Sequence, residues 1–188
     1  MKKFVVTLAS MALAFTVAGC GNANDKSGVV ADDAATEEAP QEVVVQGEIA
    51  WSDSEDAAAA AESAGMESGF QIPTPLPIGE YEWSEPTYMA MDKVVEAHSD
   101  GGGISCSIRK GEGVSLEDLS ADLNEYKFDW TQDVDGIEVT CHGYEEGVAN
   151  FLEWTVDDNS YDVWCMSTGE GNLGMNADEV YAMVTSIK

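Results

Sequence analysis

"FDWTQDVDGIEVTCHG", residues 128–143, alternates apolar and polar side chains on both sides of Asp135-Gly136. An Asp-Gly pair between two such runs is the strongest short-range hairpin signal, because both central residues of a two-residue turn need positive φ. The stretch therefore predicts two antiparallel strands, and the segments around it extend the same pattern. Downstream, "VANFLEWTVD" (148–157) and "YDVWCMST" (161–168) flank the turn-rich "DNS" and read as another strand pair. Upstream, "YMAMDKVVEAH" (88–98) and "GISCSIRK" (103–110) lie on either side of Gly101 to Gly103 and read as a third hairpin.

Two segments carry a helical period instead. "SLEDLSADLNEY" (115–126) has Ser115 followed three later by Asp118, and Leu116, Leu119 and Leu123 fall at helical spacing. "NADEVYAMVTSIK" (176–188) opens on Asn176 with Glu179 three residues on, an asparagine variant of the capping box, and Val180, Val184 and Ile187 form one stripe. The expected fold is α+β: a meandering antiparallel sheet of five to six strands, a short helix between strands, and a C-terminal helix packed on one face.

The chain begins differently. Lys2 and Lys3 precede an apolar run over residues 4–17, shorter than the roughly 20 residues a membrane-spanning helix needs. A basic start and a short apolar core are the parts of a secretory leader. The run ends Val17-Ala18-Gly19-Cys20, which resembles a bacterial lipobox, with Val17 where leucine is commoner. The resemblance implies diacylglycerol on the Cys20 sulfur and cleavage before it by the lipoprotein signal peptidase. Two acyl chains hold a protein stably at a membrane, whereas one binds only marginally.

After Cys20 the composition turns acidic and alanine-rich, with few large apolar side chains to offset the entropy of ordering. The expected organisation is a signal peptide over 1–19, a flexible tether over 20–70, and a folded extracytoplasmic domain over 71–188. Within the tether "SDSEDAAAAAESAG" (52–65) reads as a short, marginal helix capped from Ser52 to Ser54. Prolines 73, 75 and 77 mark a stiff entry into the domain.

With 36 acidic residues against 8 basic ones, the formal charge is −28. Such a surface repels phosphate backbones and anionic headgroups, which argues against nucleic acid and leaves cationic peptides or divalent metals as partners.

Candidate chemistry is sparse, and no cofactor motif is present. Alternation puts Cys106, Cys141 and Cys165 on the apolar sides of their strands. In a meander Cys141 and Cys165 are kept apart by the strand between them. A Cys106–Cys141 disulfide becomes reachable if 103–110 pairs with 137–144, and three free buried thiols is the alternative. Cys141 and His142 are strand neighbours facing opposite ways, so they form no thiol–imidazole pair. "DVDGIE" (133–138) is oxygen-rich, but aligned on an EF-hand loop it places Thr131 and His142 where acids are required. A plain turn explains it, and no metal site is expected. Among the tryptophans, Trp154 alternates with Leu152 and Val156 as a core residue does. Trp164, opposite in facing to Cys165, is the candidate ligand platform.

"SIRKGEG", "VDGIEVTCHG", "ANFLEWTVDDNSYDV" and the terminal "DEVYAMVTSIK" together resemble small domains of unknown function on lipoproteins of Gram-positive bacteria, over roughly residues 72–188. The three domain cysteines are not part of that pattern. The resemblance implies an extracytoplasmic lipoprotein at the cell membrane and carries no catalytic residues. The expected function is non-catalytic binding or scaffolding of an envelope protein or small ligand. The alternative is a module for calcium, a glycan or a cationic peptide.

Overall fold

The computed structural model describes residues 50–120, 122–168 and 173–188. The leader with Val17, Ala18, Gly19 and Cys20, and the acidic segment up to residue 49, lie outside the described residues. Among the described residues no helix is long and apolar enough to cross a membrane.

The fold is α+β, built on one antiparallel sheet of eight strands rather than five to six. These are β1 (Ser52–Ser54), β2 (Thr87–Met91), β3 (Val94–Gly101), β4 (Ile104–Glu112), β5 (Phe128–Val134), β6 (Ile137–Gly143), β7 (Phe151–Val156) and β8 (Asn159–Ser167). The helices are α1 (Ala57–Ser63), α2 (Leu116–Ser120) and α3 (Ala177–Ser186).

Two corrections account for the strand count. The stretch 88–98 is two strands, not one, folded at Asp92-Lys93 with Met91 opposite Val94. Residues 52–70, expected in the tether, belong to the fold. β1 pairs with β2, and Ala60, Ala61, Ala64 and Phe70 are buried in the core. The cap of α1 is Asp56, whose Oδ1 accepts from the Ala59 N–H at 2.9 Å.

The sheet order is β1-β2-β3-β4-β8-β7-β6-β5. It is two four-strand meanders joined by a β4–β8 ladder, not a single meander. After β4 the chain crosses, by way of α2, to the far edge and returns strand by strand. At Asp135-Gly136 the hairpin forms as the sequence predicts, with Val134 opposite Ile137 and φ of 53° and 89° at the two turn residues.

Register sorts the side chains into rows. On one face Ala97, Ile108, Val163, Leu152, Cys141 and Trp130 are successive cross-strand partners. This face is the core, closed by α1, by Phe70, Ile72, Leu76 and Ile78, and by Val180, Met183, Val184 and Ile187 of and just after α3. The α3 capping box is complete: the Asn176 side chain accepts from the Glu179 N–H, and the Glu179 carboxylate accepts from the Asn176 N–H. Reciprocal backbone bonds between Gln71 and Lys188 seal the end of the chain to the incoming segment.

On the opposite face the partners run Glu96, Arg109, Asp162, Glu153, Thr140 and Thr131. Here the cover is partial. α2 lies over β4, β7 and β8, close enough that a Cβ at Gly111 would meet Val114 at 2.9 Å and Leu119 at 3.2 Å. The helix is shorter than the leucine spacing predicts. Leu119 is buried, but Leu123 lies past the last helical residue and is 95% exposed.

Candidate functional site

The polar face becomes a site where α2 and residues 122–126 overhang it. Arg109 on β4 stands directly across from Asp162 on β8, which faces Glu153 on β7. One register step along, Ser107, Trp164, Phe151, His142 and Asp129 form the parallel row. Arg109, Ser120, Asp122, Phe151, Asp162 and Trp164 line a cavity of about 230 Å³. A second, of about 320 Å³, shares Ser120, Asp122 and Phe151 with it and adds Tyr126, Asp129, His142 and Glu153.

The anchoring contacts are ionic. Arg109 donates from Nε to the buried Glu96 carboxylate and from Nη1 to the Ser120 carbonyl at 3.1 Å, which ties the end of α2 to the sheet. Its guanidinium also lies 6.0 Å from the centre of the Trp51 ring, within range of a cation–π contact. His142 Nδ1 lies 2.6 Å from Asp129 Oδ1, while Nε2 is buried with no hydrogen-bond partner, 3.6 Å from Glu153 Oε1. Tyr126 donates to Asp122 at 2.7 Å and stacks against Phe151. Burial and the Asp122 carboxylate push the Tyr126 phenol well above its ordinary pKa.

Asp162 is the unusual member. It is 1% exposed, and its Oδ2 is buried with no hydrogen-bond partner. Burial pushes its carboxyl up to about 7, and Glu96, Glu153 and Asp122 add to the rise against the opposing pull of Arg109. Near neutrality this carboxyl therefore holds its proton far more readily than an exposed aspartate does. Acidic side chains outnumber basic ones around the two cavities, where Arg109 stands among Asp122, Asp129, Glu153 and Asp162.

The residues singled out in the sequence separate. Trp164 is half-buried on the polar face and lines the first cavity. Cys106 and Cys141 do not meet, because β8 and β7 lie between β4 and β6. At about 4.8 Å per strand they stand some 14 Å apart, beyond the ~7 Å limit for a disulfide. Cys106 instead sits opposite Cys165. Burial pushes the Cys141 thiol up to about 11. Among the described residues no three His, Cys, Asp or Glu side chains are placed to hold a metal ion. Asp133 and Asp135 of the oxygen-rich turn accept instead from the Gly136 N–H and the Tyr181 hydroxyl.

Arg109, Asp162, Phe151 and His142 were not marked by the sequence as a group. The one usable signal was alternation, which puts Asp162 on the same face as Trp164 and opposite Cys165. No protein-family profile, curated protein or solved structure matches the chain.

Proposed function

We propose that this chain is a bacterial lipoprotein, held at the outer face of the cell membrane by a diacylglyceryl group on Cys20, whose domain binds a small organic cation without chemistry. The lipobox-like Val17-Ala18-Gly19-Cys20 after a basic start and a short apolar run supports the anchor. So does the resemblance of the domain to lipoprotein domains of Gram-positive bacteria.

One observation carries the binding reading: Asp162, buried and with a partnerless Oδ2, is among the residues that line the first cavity. An acceptor kept from water without a donor costs free energy. A ligand ammonium or guanidinium supplies that donor, and the charge it brings favours the ionised carboxylate. Trp164 and Phe151 line the same cavity, and aromatic rings attract such cations. Cavities that bind small molecules combine apolar walls with a few convergent polar groups, as these walls do.

The same Asp162 favours a second reading. A carboxyl pushed up to about 7 beside another carboxyl is suited to general acid catalysis. Turnover of wall-derived glycans that disappears in Asp162→Asn is the mark of that reading.

The deciding experiment is thermal unfolding of the full chain with agmatine, spermidine, calcium or wall-derived glycan fragments. At a hundred times its dissociation constant a ligand adds about 2.7 kcal/mol, a rise of roughly 10 °C in the midpoint. The expected result is a rise with the organic cations that is lost in Asp162→Asn. An equal rise in Asp162→Asn overturns the assignment of the site. A rise with calcium alone replaces the organic cation with a metal, and no rise with any ligand leaves scaffolding of an envelope protein.

A further inference from the structure

We infer that Cys106 and Cys165 are joined by a disulfide in the mature protein, clamping the ladder that unites the two halves of the sheet. Three observations on the core face carry this. First, the two cysteines are direct cross-strand partners on β4 and β8. Second, their pair is of the narrow kind. The Cys165 N–H donates to the Asn150 carbonyl at 2.7 Å, towards β7, so its backbone groups turn away from β4. In antiparallel sheets such pairs bring Cα atoms to about 4.5 Å and side chains closest together, inside the range a disulfide spans. Third, both sulfurs are buried and face each other at 2.9 Å.

Topology gives the bond a purpose. β2–β4 and β5–β8 each pair with their neighbours in chain order, β1 joins the first group after the long connection through α1, and within the sheet the two groups meet only at β4–β8. That ladder brings together cysteines 59 positions apart in the chain. A crosslink there removes chain entropy from the unfolded state where the fold has to bring distant segments together. Cys141, two strands from Cys165 with β7 between, stays a thiol.

The inference rests on the reading that the domain lies outside the cytoplasm, where disulfides persist. The chemistry is thiol–disulfide exchange. The Cys106 and Cys165 thiols together give up two protons and two electrons, and a new S–S bond forms. The disulfide of the oxidant, oxidised glutathione or a dithiol oxidoreductase of the envelope, is cleaved to two thiols. Because both sulfurs are sealed in the finished core, exchange takes place before β8 docks on β4.

Two arms separate the geometry from the compartment. In the first, full chain carrying Cys20→Ser, so that only the three domain thiols remain, is unfolded, reduced and refolded with oxidised glutathione. Remaining thiols are then alkylated and peptides read by mass spectrometry. The expected result is a linked Cys106–Cys165 pair and an alkylated Cys141, with a midpoint roughly 10 °C above that of the reduced form. Alkylation of both Cys106 and Cys165, or a link from either to Cys141, overturns the inference. In the second arm, unaltered chain with its leader is made in a bacterial cell, and its thiols are trapped by acid before alkylation. The same link is expected there. With a linked pair after refolding, a reduced pair in chain recovered from the membrane fraction overturns the mature disulfide, whereas a reduced pair in chain recovered from the cytoplasm overturns the extracytoplasmic reading.

Discussion

One residue of register separates two environments in this sheet. Ile108, Val163 and Leu152 form a row that α1, α3 and the segment after α1 close off. Their immediate chain neighbours Arg109, Asp162 and Glu153 form a row that only α2 and the 122–126 segment overhang. The same backbone thus carries a sealed apolar layer and a half-covered ionic one. The first contributes stability. On the second, a carboxyl is held where burial disfavours its charge, which costs stability and leaves its Oδ2 without a hydrogen-bond partner.

Opening the sealed side has the largest expected effect. Leu152 is fully buried, and Leu152→Ala is expected to cost about 2–5 kcal/mol, read as a fall in the urea midpoint. A loss under 1 kcal/mol would show that the core face is not the stabilising layer.

Asp162→Asn tests the other side with the opposite sign. The folded carboxyl titrates near 7 against an ordinary value of 3.8, so between about pH 4 and 7 the folded state binds the extra proton. Stability falls as pH rises through that window, by up to about 4 kcal/mol from this group, and the loss is complete above pH 7. The amide removes the charge. Urea unfolding should therefore show Asp162→Asn more stable than the parent at pH 8 and equal to it near pH 4. A variant less stable at pH 8 would mean that the ionised carboxylate is well solvated or paired.

Smaller effects sharpen the picture at its margins. Asn176→Ala removes the side chain that accepts from Asp178 and Glu179 at the start of α3. It should cost about 1 kcal/mol in a thermal or urea melt, since α3 is part of the seal. Leu123→Ser, beside the open face, should change stability by less than about 0.5 kcal/mol, because Leu123 is almost wholly exposed. A larger loss would place Leu123 against the fold in solution.

Local signals were legible where one residue type has to do the job. Gly136 with Asp135 announced its turn, and Asn176 with Glu179 announced α3. The turn at Asp92-Lys93 carries no glycine or asparagine, so the sequence pattern runs through it as strand. Lys93 holds φ of 61° because distant groups support it. Its N–H donates to the Ala64 carbonyl, its Nζ to the Gly65 carbonyl at 2.7 Å, and its carbonyl accepts from Glu112. A short helix within 52–65 is legible in the sequence, but its cap at Asp56 and its place in the core are not, for a related reason. Ala60, Ala61 and Ala64 look like tether composition, yet small side chains let the helix lie close on the sheet. The β4–β8 ladder is invisible locally, because the crossover through α2 decides it, and with it went the cysteine pairing. Trp164 was legible by alternation. Asp162 was not, since nothing in its neighbours says that α2 will cover it.

If the half-covered face is where this molecule binds, as we propose, nuclear magnetic resonance reads it most directly. Agmatine titrated into the full chain should shift the backbone signals of Arg109 and Asp162 and the Trp164 indole signal. Ile108 and Val163, their neighbours on the sealed face, should hardly move. Shifts confined to the acidic residues before 50, or absent from the Asp162 row at saturation, would contradict the account.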